Sequence, residues 1–143
     1  QHDNIIILNP DINDLLNDKI FKLEVNESSF YVPLWHTEII FDDISGNDLI
    51  VKCIPELNEN TYIDNLNHLH VSIDKNIVTI LREGMASVKL GDKIFEIKGS
   101  ELNIMKNQTI ILNNKGILLE DHENLYNVTK RCDIFIHLTL LDK

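Results

Sequence analysis

Apolar and polar residues alternate with a period of two along much of the chain. Phe21, Leu23 and Val25 alternate with Lys22 and Glu24, and a similar run opens at Lys93 and Ile94 and continues through Phe95, Glu96 and Ile97. Such alternation predicts strands with one buried face. Val88 to Ile94 reads as two strands around a Gly91-Asp92 turn, a strong short-range hairpin signal. Leu49 to Ile54, Leu69 to Ile73, Thr109 to Leu112 and Ile134 to Leu140 read as further strands, rich in the Ile and Val that suit a pleated surface. Only Ile12 to Asn17 suggests a helix, a turn and a half with Asp11 or Asn9 as cap. The expected fold is mainly β with at most short helices.

The pattern repeats. Asp18-Lys19-Ile20-Phe21-Lys22-Leu23 recurs as Asp92-Lys93-Ile94-Phe95-Glu96-Ile97, and Asn47-Asp48-Leu49-Ile50-Val51-Lys52 recurs in pattern as Cys132-Asp133-Ile134-Phe135-Ile136-His137. Two matches in the same order point to an internal duplication. From Asp18 to Asp48 is 30 residues and from Asp92 to Asp133 is 41. The polar stretch Glu120 to Thr129 accounts for the excess as a surface loop inserted in the second half. Two similar, sandwich-like β subdomains follow, at 1–56 and 57–143, divided where Pro, Glu and Asn cluster between Pro55 and Asn60. Each is marginal as an independent core, so the two are expected to stay close.

Composition narrows the function classes. The chain has 143 residues, 43% of them apolar, enough for a core. A net charge of −10 excludes a general nucleic-acid binder. No apolar run approaches the ~20 residues that span a bilayer. No signal peptide is read at the N-terminus, although Gln1 suggests a trimmed chain. Cys53 and Cys132 are too few for a four-ligand zinc site and read as buried thiols or as one disulfide. There are 17 Asn and 22 Ile, a bias typical of AT-rich coding. The glycosylation-like triplets at Asn26, Asn107 and Asn127 are what so many Asn give by chance.

Catalytic motifs are missing: there is no nucleophile elbow, zinc-protease helix, phosphate loop or dinucleotide fingerprint. Neither an enzyme nor a cofactor is expected. His68 and His70 lie two apart in a strand and would share a face, as a metal pair or as exposed strand histidines. Asp42, Asp43, Asp48 and Asp64 read as acid/base carboxylates or, more simply, as turn residues. Nothing in the spacing makes Cys53 and His36 a nucleophile and base. The aromatic run Phe30 to His36 is either a core strand ending at a rim or an apolar binding lip. The face carrying Phe21, Leu23 and Val25 is likewise either core or an open groove.

These residues resemble the two C-terminal β subdomains of the DnaJ/Hsp40 co-chaperone family, strongly diverged, over nearly the whole chain. Ile12 to Lys19 resembles the family's leucine-rich segment, with the strand Phe21 to Val25 after it. Asn47-Asp48-Leu49 and Cys132-Asp133-Ile134 resemble the Gly-Asp-Leu strands, one in each subdomain. Tyr62 to Leu69 resembles the opening of the second subdomain, Leu90 to Lys93 its hairpin, and Gln108 to Ile117 its later glycine-containing segment. The Gly-Asp-Leu glycine is replaced by Asn47 and Cys132. The J domain, the Gly/Phe-rich linker and the zinc repeats are absent from this sequence. The family's dimerisation tail is not evident after Leu141, so a homodimer is expected only of a longer chain.

The resemblance implies a cytoplasmic peptide-binding module with no metal, whose first subdomain holds extended apolar client segments for Hsp70. It implies Ile6, Leu8, Phe21, Leu23, Val25 and Tyr62 as peptide-binding residues, and Lys19 and Lys22 as the basic residues that would meet the acidic Hsp70 tail. No nucleic-acid or membrane partner is implied. The rival expectation is a structural or scaffold protein that keeps the fold without chaperoning.

Overall fold

A computed structural model describes residues 4–42 and 46–142. Gln1 and the carboxylate candidate Asp43 lie outside them. The fold is mainly β and sandwich-like, with several small sheets and two short helices. It divides into two compact units, residues 1–57 with 117–131, and residues 58–116 with 132–143. The break at 57/58 falls inside the polar cluster read from the sequence. Residues 117–131, which the sequence division leaves in the second half, belong with the first unit.

In the first unit, strand β1 (Asn4–Leu8) lies parallel to β5 (Asp48–Cys53), and β4 (Glu38–Asp42) pairs antiparallel on the other side of β5. Between β1 and β4 the chain forms helix α1 (Ile12–Leu16) and a separate hairpin of β2 (Ile20–Val25) and β3 (Ser28–Pro33). Asp11 caps α1 in a reciprocal box with Asp14, and Leu15 and Leu16 are buried. The β2–β3 turn places both Asn26 and Glu27 at positive φ, the geometry a two-residue hairpin requires. Ile39, Leu49, Val51 and Cys53 of the sheet meet Val32 and Leu34 of the hairpin side in one core. The sheet and the hairpin therefore form a small sandwich.

The second unit repeats this path. Strand β7 (Leu69–Asn76) lies parallel to β11 (Ile134–Leu141), and β10 (Asn107–Leu112) pairs antiparallel on the far side of β11. A short added strand, β6 (Thr61–Ile63), extends the sheet beyond β7. Helix α2 (Ile77–Glu83), the hairpin β8 (Met85–Leu90) and β9 (Lys93–Lys98), and a 3-10 turn at Gly99–Glu101 lie between β7 and β10. Asn76 caps α2 through Val78 and Thr79, and Gly84 ends it at φ +79°. Gly91 supplies the positive φ of the β8–β9 turn.

The duplication is therefore visible in each unit's topology, but the two sequence matches fare differently. Asn47 to Lys52 and Cys132 to His137 fall on β5 and β11, the same place in each unit, and Leu49, Val51, Ile134 and Ile136 are buried alike. Asp18 to Leu23 leads into β2, the first hairpin strand, whereas Asp92 to Ile97 leads into β9, the second. That match is a coincidence of alternating composition. The excess length of the second half lies in the β10–β11 connection, 113–133, against 43–47 between β4 and β5.

Residues 117–131 form a strap on the first unit. Ile117 and Leu118 are fully buried, and Leu125 packs on the core cluster. Glu120 accepts the Thr37 N–H, the Tyr126 hydroxyl donates to the Tyr31 carbonyl at 2.7 Å, and Arg131 forks onto both oxygens of Asp18. Within the strap, Asp121 takes the N–H groups of Glu123 and Asn124 and the side-chain amide of Asn127. The polar sequence is thus a chain of local turns rather than free loop.

Just before the strap, Gly116 has no room for a side chain: a Cβ there would meet the carbonyl oxygens of Cys132 and Asp133 at 3.0 and 3.1 Å. Gly116→Ala is expected to destabilise the fold by about 1–3 kcal/mol, measured by denaturant unfolding. A neutral result would show that this backbone yields easily.

Candidate functional site

Strand alternation aims Ile6 and Leu8 of β1, and Phe21, Leu23 and Val25 of β2, at the first unit's interior. Ile6, Leu8, Leu23 and Val25 pack on the core cluster but stay only partly buried, together with Phe30 and Phe41. Phe21, opposite Val32 in the hairpin ladder, is 40% exposed. Both β1 and β2 are edge strands, each paired on one side only. Five of the predicted residues therefore turn toward the core from two layers, Ile6 and Leu8 from the sheet and Phe21, Leu23 and Val25 from the hairpin, and none of them is fully covered. On the aromatic run, Val32, Leu34, Trp35 and His36 are buried, whereas Tyr31 is exposed.

Tyr62 belongs to the second unit, where it projects from β6 and stacks on His70 at 4.4 Å between ring centres. Lys22 points to the opposite face of β2 from Phe21, Leu23 and Val25, and its ammonium lies 3.4 Å from Glu24. Lys19 likewise lies 3.4 Å from Asp14. Both lysines are exposed, so these pairs contribute little to stability, yet any acidic ligand must compete with a resident carboxylate.

Cys53 and His36 do not form a catalytic pair. Burial and the nearby Glu120 carboxylate push the Cys53 thiol up to about 11, so it is not a nucleophilic thiolate near neutral pH. His36 is 1% exposed and sits edge-on to His122. Its Nε2–H donates to the Leu125 carbonyl at 3.0 Å, while Nδ1 has no partner among the described residues. Burial lowers its pKa, and the Leu125 carbonyl and Glu120 only partly offset this. His36 is a neutral bolt between the β3–β4 connection and the strap. Cys53 and Cys132 are both buried, and they are not joined in a disulfide.

The second unit holds a constellation that the sequence reading did not assemble. His68 and His70 are not a pair: His68 Nδ1 accepts the Asp133 N–H, and its ring meets Phe135 edge-on. His70 instead turns to Asp64, with its Nε2 2.8 Å from the carboxylate, and to His137, with its Nδ1 2.9 Å from His137 Nε2. His137 Nδ1 in turn lies 3.1 Å from the Thr109 hydroxyl. Asp64 is also the turn residue it was read as, since its other oxygen accepts the N–H groups of Leu66 and His68. Burial works against its charge, but the bonds from His70, His68 and Leu66 prevail and hold its carboxyl below the usual range. Asp42 and Asp48 are exposed and opposite one another at the end of the β4–β5 ladder.

Period-two alternation does put His137 beside Phe135 and Thr139 on one face of its strand. What the sequence lacks is the parallel pairing of β7 with β11, which links residues 67 apart in the chain. Among the described residues, no group of three or more His, Cys, Asp or Glu side chains is placed to hold a metal, and no helix is long and apolar enough to cross a membrane. No family model matches the chain, and no curated protein matches it significantly.

Two outcomes follow from this chemistry. Neither thiol should react with an aromatic disulfide reagent at pH 8 until the chain is denatured; rapid modification of the folded chain would contradict the burial of Cys53 and Cys132. Acid should also weaken the fold. His36 and His137 both sit below the ordinary 6.5, the first through burial, the second through burial and then the His70 charge. The unfolded chain thus binds protons that the folded chain refuses. Their contribution is complete above about pH 6.5 and is lost as pH falls from there through the folded values. Urea unfolding between pH 7.5 and 5 should show this loss, reduced in His36→Gln; a flat profile would refute it.

Proposed function

We propose that the first unit binds extended apolar polypeptide segments, in the manner of the C-terminal region of a DnaJ/Hsp40-type co-chaperone that holds clients for Hsp70. The observation that carries this reading is incomplete cover of apolar residues on two edge strands, Ile6 and Leu8 on β1 and Leu23 and Val25 on β2 against one core, with Phe21 of β2 more exposed. An edge strand has unpaired backbone donors and acceptors, so an extended peptide adds to it as a further strand and offers every second side chain to the apolar face. One or two buried Leu or Ile anchors are worth roughly 1.5–3 kcal/mol each. After the cost of association this leaves binding of about micromolar strength or weaker. Reversible binding of that order suits a protein that passes its clients on. An acidic Hsp70 tail would meet Lys19 and Lys22 only by displacing Asp14 and Glu24, against the charge of −10, which makes that contact weak and salt-sensitive.

A scaffold reading rests on a different face. Ile5, Ile7 and Ile40 are exposed on the outer side of the first unit's sheet, with Ile5, Ile50 and Ile40 in one cross-strand row. That row suits a protein surface rather than a client groove.

The two faces are separable. A fluorescent Leu-rich extended peptide, titrated into the full chain, should bind with micromolar affinity. Phe21→Ser, at a partly exposed position, should weaken binding about tenfold without loss of fold, and Leu23→Ser/Val25→Ser, checked for folding, should abolish it. Ile40→Lys should leave it unchanged. Loss of binding in Ile40→Lys alone would move the function to the outer face, and no binding by the folded wild type would end the chaperone reading.

A further inference from the structure

The outer face of the second unit's sheet is built in cross-strand rows. Tyr62, His70, Phe135 and Ile111 form one, and Ser72, His137 and Thr109 the next. In the first row the rings stand parallel: His70 lies 4.4 Å from Tyr62 and 4.8 Å from Phe135, at 5° and 12°. His137 comes from the next row and meets His70 nitrogen to nitrogen, with 7° between the ring planes and 5.2 Å between centres. Two imidazoles that meet head-on in one plane at 2.9 Å leave room for a proton between them and for nothing larger.

Hydrogen-bond polarity then determines how many protons the chain of groups accepts. His70 Nε2 faces a carboxylate, so it carries hydrogen. With both rings neutral, the Thr109 hydroxyl donates to His137 Nδ1, His137 Nε2–H donates to His70 Nδ1, and His70 Nε2–H donates to Asp64. One added proton keeps every bond: it enters at His137 Nδ1, which now donates to the Thr109 oxygen, and a single hydrogen still bridges the rings. The positive charge is then spread over a ring pair that ends on the Asp64 carboxylate, with His70 between the faces of Tyr62 and Phe135, which favour a cation. A second added proton would set two N–H groups against each other across the same gap. The bridge must break.

We propose that Asp64, His70, His137 and Thr109 form a relay that takes up one proton without losing a hydrogen bond and is opened by the second, an acid-sensitive latch across β6, β7, β11 and β10. Among the described residues, the titratable groups facing it are few. Tyr62 comes from β6, Asp64 from the β6–β7 turn and Asp74 from β7, while β11 adds only His137 itself. Strand β10 brings Asn107, Thr109 and Ile111, none of which titrates. His68 is held by the Asp133 N–H and Phe135. Ser72, Asp74, Asn107, Thr109, His137 and Thr139 line an open cleft on this face. A doubly protonated pair opens by turning His137 into that cleft, toward the Asp74 carboxylate.

The test is an imidazole nitrogen NMR titration of the full chain from pH 8 to 4.5. In the wild type, His70 and His137 should move together through one shared protonation. A separate acid step should follow, with loss of the bridging N–H signal and movement of the Thr109 and Asp74 amides. His137→Gln, which keeps a donor and an acceptor at this place, should abolish the acid step. Asp74→Asn should shift it to lower pH. Thr109→Val leaves both rings and removes the terminal oxygen, so the shared protonation should shift to lower pH; this variant decides the matter if His137→Gln does not fold. Two independent single-site titrations, or an acid step unchanged in His137→Gln, would overturn the proposal.

Discussion

A tight turn cannot join parallel strands, and each unit is built on one parallel pair, β1 with β5 and β7 with β11. The rest of each unit follows from that pairing. After β1 or β7 the chain must leave the sheet, and it does so through a short capped helix and a hairpin that becomes the second layer. It returns as β4 or β10, and only then does the last strand slot between the two already laid down. β5 and β11 are therefore central strands, flanked on both edges, and their inward residues are among the best buried in the molecule: Val51, Ile134 and Ile136 have no solvent exposure.

That constraint also sets what could be read from the sequence. The Ile- and Val-rich runs Leu49 to Ile54 and Ile134 to Leu140 could be read as strands, though nothing local marked them as the central ones. Asp11 and Gly91 marked a helix start and a hairpin turn through local chemistry alone. Helix α2 was missed although Asn76 and Gly84 frame it, because seven residues are too few for a helical period to emerge from Ile-rich alternating surroundings. β4 was missed for a similar reason: it is five residues long, and Ile39, Ile40 and Phe41 run together without alternation. The first repeat match misled because Asp-Lys-Ile-Phe opens any exposed hairpin strand as readily as another.

The candidate sites divide along the same line. Ile6 with Leu8, and Phe21 with Leu23 and Val25, lie two apart on their own strands, so alternation could put each set on one side of its strand, although it could not say how far either is covered. The histidine chain depends on a non-local strand pairing, and no local pattern encodes it. Its place in the duplication is informative: the repeat sets Phe135 and His137 against Ile50 and Lys52. Two units built on one path have thus diverged in their outer faces, one toward aliphatic contact and the other toward a hydrogen-bonded aromatic row. The inward positions of the same strands stayed aliphatic, since they carry the core.

The strap gives the molecule an unusual order of assembly. Arg131 reaches Asp18 across 113 positions, and Leu125 completes a core whose other members all precede residue 54. On a ribosome the first sheet and hairpin emerge early, but their final side chains and the carbonyl that holds His36 emerge only after β10. The early unit must wait with part of its apolar interior uncovered. Long-range closure of this kind slows folding and lengthens the time for which a nascent chain is open to misassociation. A unit whose core is closed by residues made after most of the next unit cannot be finished in the order of synthesis.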